Sequence, residues 1–188
     1  MAVKLLSSSG GSVTLDVPVT ASNFALTLPA ANGTVLTTTS PKVGNVLQVV
    51  QASTTTRVQI TGSTYTDTNL TASITPSSTS SKILVLISQN IGTYNSSQVG
   101  TAGNFRIVRD STTVFTSENV ISIVAALGNA SELRVAGQYC FNYLDSPSTT
   151  SSVTYKTQMN LSGGGGRVEP QSSNGLSNST IILMEIAG

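Results

Sequence analysis

Apolar residues recur at every second position along much of this chain: Val13, Leu15, Val17 and Val19, then Phe24, Leu26 and Leu28, and far downstream Val153, Tyr155, Met159 and Leu161. A period of two sends successive side chains to opposite faces of an extended backbone, whereas a helix needs apolar residues three and four apart. Ala, Glu, Lys, Leu and Gln never gather into a window with the helical period, so long helices are not expected. Ser and Thr supply about 30% of the residues, a bias that signals disorder when β-branched side chains are scarce. Here Val, Ile and Thr are abundant, and the bias points to strands.

The strand signals become denser after Pro41 to Gly44, which reads as a joint. Val46 to Gln51 and Arg57 to Thr61 are expected to form a hairpin across ASTTT. Leu70, Ala72 and Ile74 alternate with polar neighbours up to Pro76. Lys82 to Ser88 holds five consecutive apolar residues, as in a strand covered on both faces. NFRIVRDSTTVF is expected to be a hairpin with Phe105 and Ile107 on one face, Arg106 on the other and Asp110-Ser111 at the turn. VISIVAAL is read as strand. Tyr139, Phe141 and Tyr143 alternate in QYCFNYLD, where Cys140 is expected to be an inert core thiol. STIILMEIAG closes the series. About eight to ten strands with turn signals between them make an all-β antiparallel sandwich, of the jelly-roll or barrel kind. It is expected over residues 42–188, with residues 1–41 as an appendage.

That appendage poses a problem of stability. Pro18 and Pro29 each remove a backbone donor and Asn32-Gly33 marks a tight turn, so it reads as short β-hairpins with one apolar face. Segments below ~40 residues usually need disulfides, metals or oligomerisation to fold, and the chain's single Cys permits no intrachain disulfide. Val13, Leu15, Val17, Phe24, Leu26, Leu28, Val35 and Leu36 are therefore assigned to a shared anchor and trimer interface. A trimer also answers the apolar excess of KILVLIS and TIILMEI and closes exposed sheet edges.

Composition narrows the chemistry. Only 9% of residues are charged, against about a quarter in ordinary domains, and the net charge is +1 with the basic residues scattered. No stripe can track a phosphate backbone, which argues against nucleic acid. The lack of His and Trp removes the commonest general base and metal ligand and the largest aromatic platform. No two of the eight acids lie close enough in sequence to share a strand face. No enzymatic activity, cofactor or metal site is expected, and no catalytic residue is assigned. The Gly163 to Gly166 run lacks the Lys-Ser or Lys-Thr of a phosphate loop and reads as a mobile strand connection. Lys82, Arg106, Arg109, Arg134, Lys156 and Arg167 read as solvated charges on strand faces. Tyr94, in GTYNSSQVGTAGN, is the one loop aromatic that a sugar site could use. No window reaches the ~18 to 20 apolar residues of a membrane helix, and MAVKLLSSSGG has no signal-peptide core. Membrane is not expected as a partner, and synthesis in a cytoplasm is.

The run GSVTLDVPVTASNFALTLPAANGTVLTTTS is similar to segments of tailed-bacteriophage structural proteins, tail fibres especially. SKILVLIS, NYLDSPSTTSSVTYKTQMNL and STIILMEIAG resemble the C-terminal jelly-roll domain of virion proteins of marine phages and cyanophages. The resemblance implies a homotrimeric, non-enzymatic component on the virion surface. Its N-terminal part would anchor to capsid, neck or tail proteins, and its jelly roll would face outward, with host attachment and a host surface glycan as further candidates. Receptor-reaching fibres commonly carry long shafts and this chain has none, which leaves room for a short head fibre or a capsid decoration (cement) protein. A carbohydrate-binding module is a third reading.

Overall fold

The computed structural model describes residues 3–6, 8–15, 42–95, 100–124, 133–172 and 177–188. The chain divides into two compact units, Met1–Val35 and Leu36–Gly188. In the first, β1 (Val3–Leu6) pairs antiparallel with β2 (Ser12–Leu15), with Leu5 opposite Val13 and Val3 opposite Leu15. Two of the assigned anchor residues, Val13 and Leu15, thus lie on a strand. Val17, Phe24, Leu26, Leu28, Val35 and Leu36 lie outside the described residues. Leu5 and Leu6 are exposed.

The second unit is all-β. Its strands are β3 (Val46–Thr54), β4 (Thr66–Ile74), β5 (Lys82–Asn95), β6 (Thr101–Arg109), β7 (Thr112–Ile123), β8 (Leu133–Asp145), β9 (Val153–Gly163), β10 (Gly166–Pro170) and β11 (Ser179–Ile186). One sheet has β8 along one edge of β5 and β11 then β3 along the other, with β10 taking the place of β11 beside residues 91–95. The other sheet runs β4-β9-β6-β7, and every pair is antiparallel. The pairs β6·β7, β5·β8, β4·β9 and β3·β11 nest like two arms of one long hairpin folded at Asp110-Ser111. Rolled into two layers, that hairpin is the eight-strand jelly roll. Its ends meet: the Gly44 N–H donates to Ala187 O at 2.8 Å and the Ala187 N–H to Asn45 O at 2.8 Å.

Alternation builds the core. Leu70, Ala72 and Ile74 from β4, Ile83, Val85 and Ile87 from β5, Phe105 and Ile107 from β6, Tyr155, Met159 and Leu161 from β9, and Ile181 and Leu183 from β11 all face inward and are buried. Each fully buried aliphatic side chain contributes about 1.5–3 kcal/mol. Phe141, from the edge strand β8, stacks on Phe105 with ring centroids 3.9 Å apart. The expected hairpin over 46–61 does not form: β3 pairs with β11, and residues 58–60 lie along β10, with Ile60 bridged to Val168. ASTTT lacks the Gly, Asn or Asp that a tight turn demands, so the chain crosses over. Within one chain β5 is covered on one face, since Leu84 and Leu86 stay half-buried while Ile83, Val85 and Ile87 are enclosed.

Three buried carboxylates are stitched to neighbouring elements. Asp145 Oδ2 accepts from Arg109 Nη1 at 2.5 Å and from the Tyr155 hydroxyl at 2.7 Å, joining β8 of one sheet to β6 and β9 of the other. Burial, then this hydrogen bond, pushes the Tyr155 hydroxyl far above its ordinary pKa, so it stays a donor. Glu185 accepts from the Ser77 N–H and hydroxyl, the Ser81 hydroxyl and Gln48 Nε2, all within 2.7 Å, and so pins the β4–β5 connection. Burial works to raise Glu185, but these donors outweigh it and hold the carboxyl below its usual range. Glu169 is held by Arg167 and Gln59. The strand-face arginines 109 and 167 are thus paired, not simply solvated.

The glycine run is a tight corner where the chain passes from the second sheet to the first. Gly164 has φ +81°, and a Cβ there would lie 1.7 Å from Gly100 O. A Cβ on Gly166 would lie 1.9 Å from Tyr94 O, whereas one on Gly163 meets nothing within 4 Å. Within the run, Gly164 and Gly166 are therefore demanded by the backbone and Gly163 is not. We expect Gly166→Ala to lower stability by more than about 2 kcal/mol in urea denaturation and Gly163→Ala to stay within about 0.5 kcal/mol.

The Glu185 donors give a pH-dependent prediction. Because its folded pKa is depressed, its contribution is fully present above the unfolded value of about 4.3 and is lost as pH falls through the folded one. Glu185→Gln is expected to cost about 1–3 kcal/mol at pH 7. The difference from the parent should shrink as pH falls from that unfolded value through the lower folded one, read as urea midpoints across the acid range.

Candidate interaction face

The outer face of the β3-β11-β5-β8 sheet is set by the same alternation that fills the core. Cross-strand pairing places Val49, Met184, Leu84 and Leu144 in one row across four strands. The next row holds Gln51, Ile182, Leu86 and Asn142, and the third Ser53, Thr180, Ser88 and Cys140. Val49 is 55% and Leu144 49% exposed, while Leu84, Leu86, Ile182 and Met184 are half-buried. A shallow groove of about 260 Å³ runs over Leu86, Ser88, Cys140, Asn142, Thr180 and Ile182. Cys140 is exposed here, its Sγ 3.8 Å from Ser88 Oγ, and is not the core thiol expected. Its aromatic neighbours Tyr139, Phe141 and Tyr143 take the inward positions, which leaves it the outward one.

The far end of this face is charged. Tyr94 was expected in a loop, but β5 continues through it to Asn95, and the residue is 4% exposed. Arg167 on β10 and Arg134 on β8 are its direct cross-strand partners, with guanidinium carbons 4.0 and 4.3 Å from the ring centroid. Arg134 also donates to Ser172 O at 2.8 Å. Glu169 Oε1 accepts from Arg167 Nε at 2.7 Å and Gln59 Nε2 at 2.9 Å, with Arg57 Nη1 3.9 Å from Oε2. Burial and the Glu169 carboxylate push the Tyr94 hydroxyl up, against the pull of the two arginines. Enclosed between guanidinium groups, Tyr94 does not offer the open ring face that sugar stacking uses.

The second sheet turns a polar face outward. Arg106 Nε donates to Gln158 Oε1 at 2.8 Å and its guanidinium lies 4.0 Å from the Tyr65 ring centroid. Asp67 accepts from Gln158 Nε2 at 2.5 Å and from Lys156 Nζ at 3.0 Å. Among the described residues no three His, Cys, Asp or Glu side chains converge as metal ligands, and no helix is long and apolar enough to cross a membrane. The buried acids that are present serve as hydrogen-bond anchors between strands.

No protein-family model matches the chain, and neither does any curated protein. Among solved structures it overlaps the infectious bursal disease virus VP2 subviral particle at 15% identity and TM-score 0.37, covering 74% of this chain and 37% of that one. It overlaps infectious bursal virus derived T=1 particles at 14% identity and TM-score 0.34, covering 98% and 44%. Dimeric latent PorU from Porphyromonas gingivalis overlaps at 9% identity and TM-score 0.35, covering 78% and 14%. The chain thus spans less than half the length of each of these proteins. At TM-scores below 0.5, such overlaps leave the role of the chain to its own residues.

Proposed function

We propose that this chain is a non-enzymatic structural component of a bacteriophage virion. In this reading it is a homotrimeric short fibre or spike whose residues 1–41 dock on the particle and whose jelly roll, residues 42–188, faces outward. The observation that carries it is the apolar row Val49, Met184, Leu84 and Leu144 with Ile182 and Leu86 beside it, a sheet face left half-wet by a single chain. Two further copies packed around a three-fold axis would cover it, and closed symmetry is the usual way for identical chains to satisfy such a surface. The likeness of residues 11–40 to phage fibre segments supports placement on a virion. Among the described residues there is no long repetitive shaft, which keeps the capsid decoration reading beside the fibre one: the same trimer at three-fold positions of a head would brace the shell.

The full-length protein is expected to sediment as three chains at micromolar concentration. Val49→Asp combined with Leu144→Asp, both on exposed positions, is expected to yield folded monomers with an unchanged far-ultraviolet spectrum. A parent protein that runs as a folded single chain would overturn the trimer. Quantitative mass spectrometry of purified particles separates the two placements, with copies in the tens for a fibre and in the hundreds for a decoration protein. Absence from the particle would overturn both.

A further inference from the structure

The outer face of the β4-β9-β6-β7 sheet holds a cleft of about 510 Å³ whose lining carries no charged side chain. Thr61, Ser63, Asn104, Asn160, Ser162 and Gly163 form most of it. Clefts that hold small molecules run from ~300 to 1,000 Å³. Asn104 on β6 and Asn160 on β9 stand directly opposite each other. Both project outward, because the next residue on one strand, Phe105, and the preceding one on the other, Met159, are fully buried inward.

The amides are fixed by their bonds. Asn160 Nδ2 donates to Ser63 O at 2.7 Å, which decides which end of the amide is which. Its Oδ1 is left enclosed and without a hydrogen-bond partner, on a residue only 8% exposed. Sealed from the cleft, that oxygen is no contact for a ligand, and the groups open to one are the Thr61 and Ser63 hydroxyls and the Asn104 amide. Across the strand pair, Asn104 Oδ1 accepts from the Asn119 N–H at 2.9 Å, and Ser162 Oγ donates to Asn119 Oδ1 at 3.0 Å. Asn119 sits at φ +50°, a backbone conformation that Asn tolerates better than most residues. The exposed strip Thr61–Ser63 is tied to β9 by Leu161 N–H to Gly62 O, 2.9 Å, and by the Asn160 amide.

The lining selects a class of ligand. A phosphate or carboxylate would call for Arg or Lys, and a divalent cation for carboxylates; none lines the cleft. An apolar molecule would meet one Leu. Amides, hydroxyls and backbone groups suit a neutral molecule rich in hydroxyls, each of which both donates and accepts. We propose that this cleft binds a neutral saccharide unit, whose hydroxyls pair with the Thr61 and Ser63 hydroxyls and the Asn104 amide between the Thr61–Ser63 strip and β6. The site stands on its own geometry; only its multivalent display rests on the virion reading. With no aromatic ring in the lining, a single site should bind with Kd on the order of 1 mM, and three linked sites would gain by avidity.

The test is a titration of the isotope-labelled full-length protein, followed by NMR, with glucose, galactose, mannose and N-acetylglucosamine, and with inorganic phosphate and Ca²⁺ as comparisons. At least one sugar is expected to shift the amides of residues 61–63, 104 and 160–164. Gly163→Phe adds a ring to the lining of the cleft at a position where a Cβ meets nothing within 4 Å. It should weaken that sugar at least tenfold without changing the thermal midpoint or sedimentation. Ser162→Trp, on an exposed rim position, is the second block and carries the test if the first fails to fold. No response to any sugar up to about 50 mM, shifts confined to other surfaces, a response to phosphate or Ca²⁺ alone, or undiminished binding in the blocked variants would each sink the proposal. None of those outcomes bears on the sedimentation that tests the trimer.

Discussion

Strand β5 is the member on which the jelly roll rests. It pairs along its whole described length with β8 on one edge and with β11 and β10 on the other, while Ile83, Val85, Ile87 and Ile91 enter the core. Without it the first sheet separates into β8, β10 and the β3·β11 pair. Its alternation decides at once which residues are dry and which are offered to the surroundings, because a slip of one residue would exchange Ile83 and Val85 for Leu84 and Leu86. Both sets are aliphatic, so the hydrophobic pattern alone specifies this register weakly. Specification comes from the ends: Asp145 bound to Arg109 and Tyr155 beside Ile83, and the close approach of Gly92 to Ser172, where a Cβ would lie 2.6 Å from the serine Cβ.

The two outer faces then diverge in chemistry. One sheet presents aliphatic rows with a charged patch of arginines around Tyr94 and Glu169 at one end. The other presents Asp67, Lys156, Gln158 and Arg106 bonded to one another, and beside them the uncharged amide cleft. Hydrophobic association is non-directional and scales with area, whereas polar recognition needs groups fixed in place. The first face therefore suits association by area, and the second suits recognition by fixed groups.

Much of this was readable from the chain itself. The inward set Leu70, Ala72 and Ile74, the split of Phe105 and Ile107 from Arg106, the Asp110-Ser111 turn and the antiparallel sandwich all follow from local alternation and turn chemistry. What local pattern could not reveal is pairing between distant segments. Residues 58–60 lie along β10 and not β3, and Tyr94 belongs to β5 although GTYNSSQVGTAGN reads as a loop, with Gly92 there to admit Ser172. Cys140 could have been placed outward from its own neighbours, since Tyr139, Phe141 and Tyr143 already occupy the inward phase. The amide cleft had no sequence signal: Asn104 and Asn160 meet only through the register of β6 on β9.

The hydrogen bonds between Gly44, Asn45 and Ala187 bring the entrance and exit of the jelly roll to one pole, shared with the Asp110-Ser111 turn, whose Asp110 N–H bonds Thr154 O. Strand β9 starts beside that pole at Val153 and reaches the cleft at Ser162, nine residues and about 30 Å away. The jelly roll thus carries its entrance and exit at one tip and the cleft at the opposite tip. Whatever holds the two chain ends leaves the mouth of the cleft uncrowded.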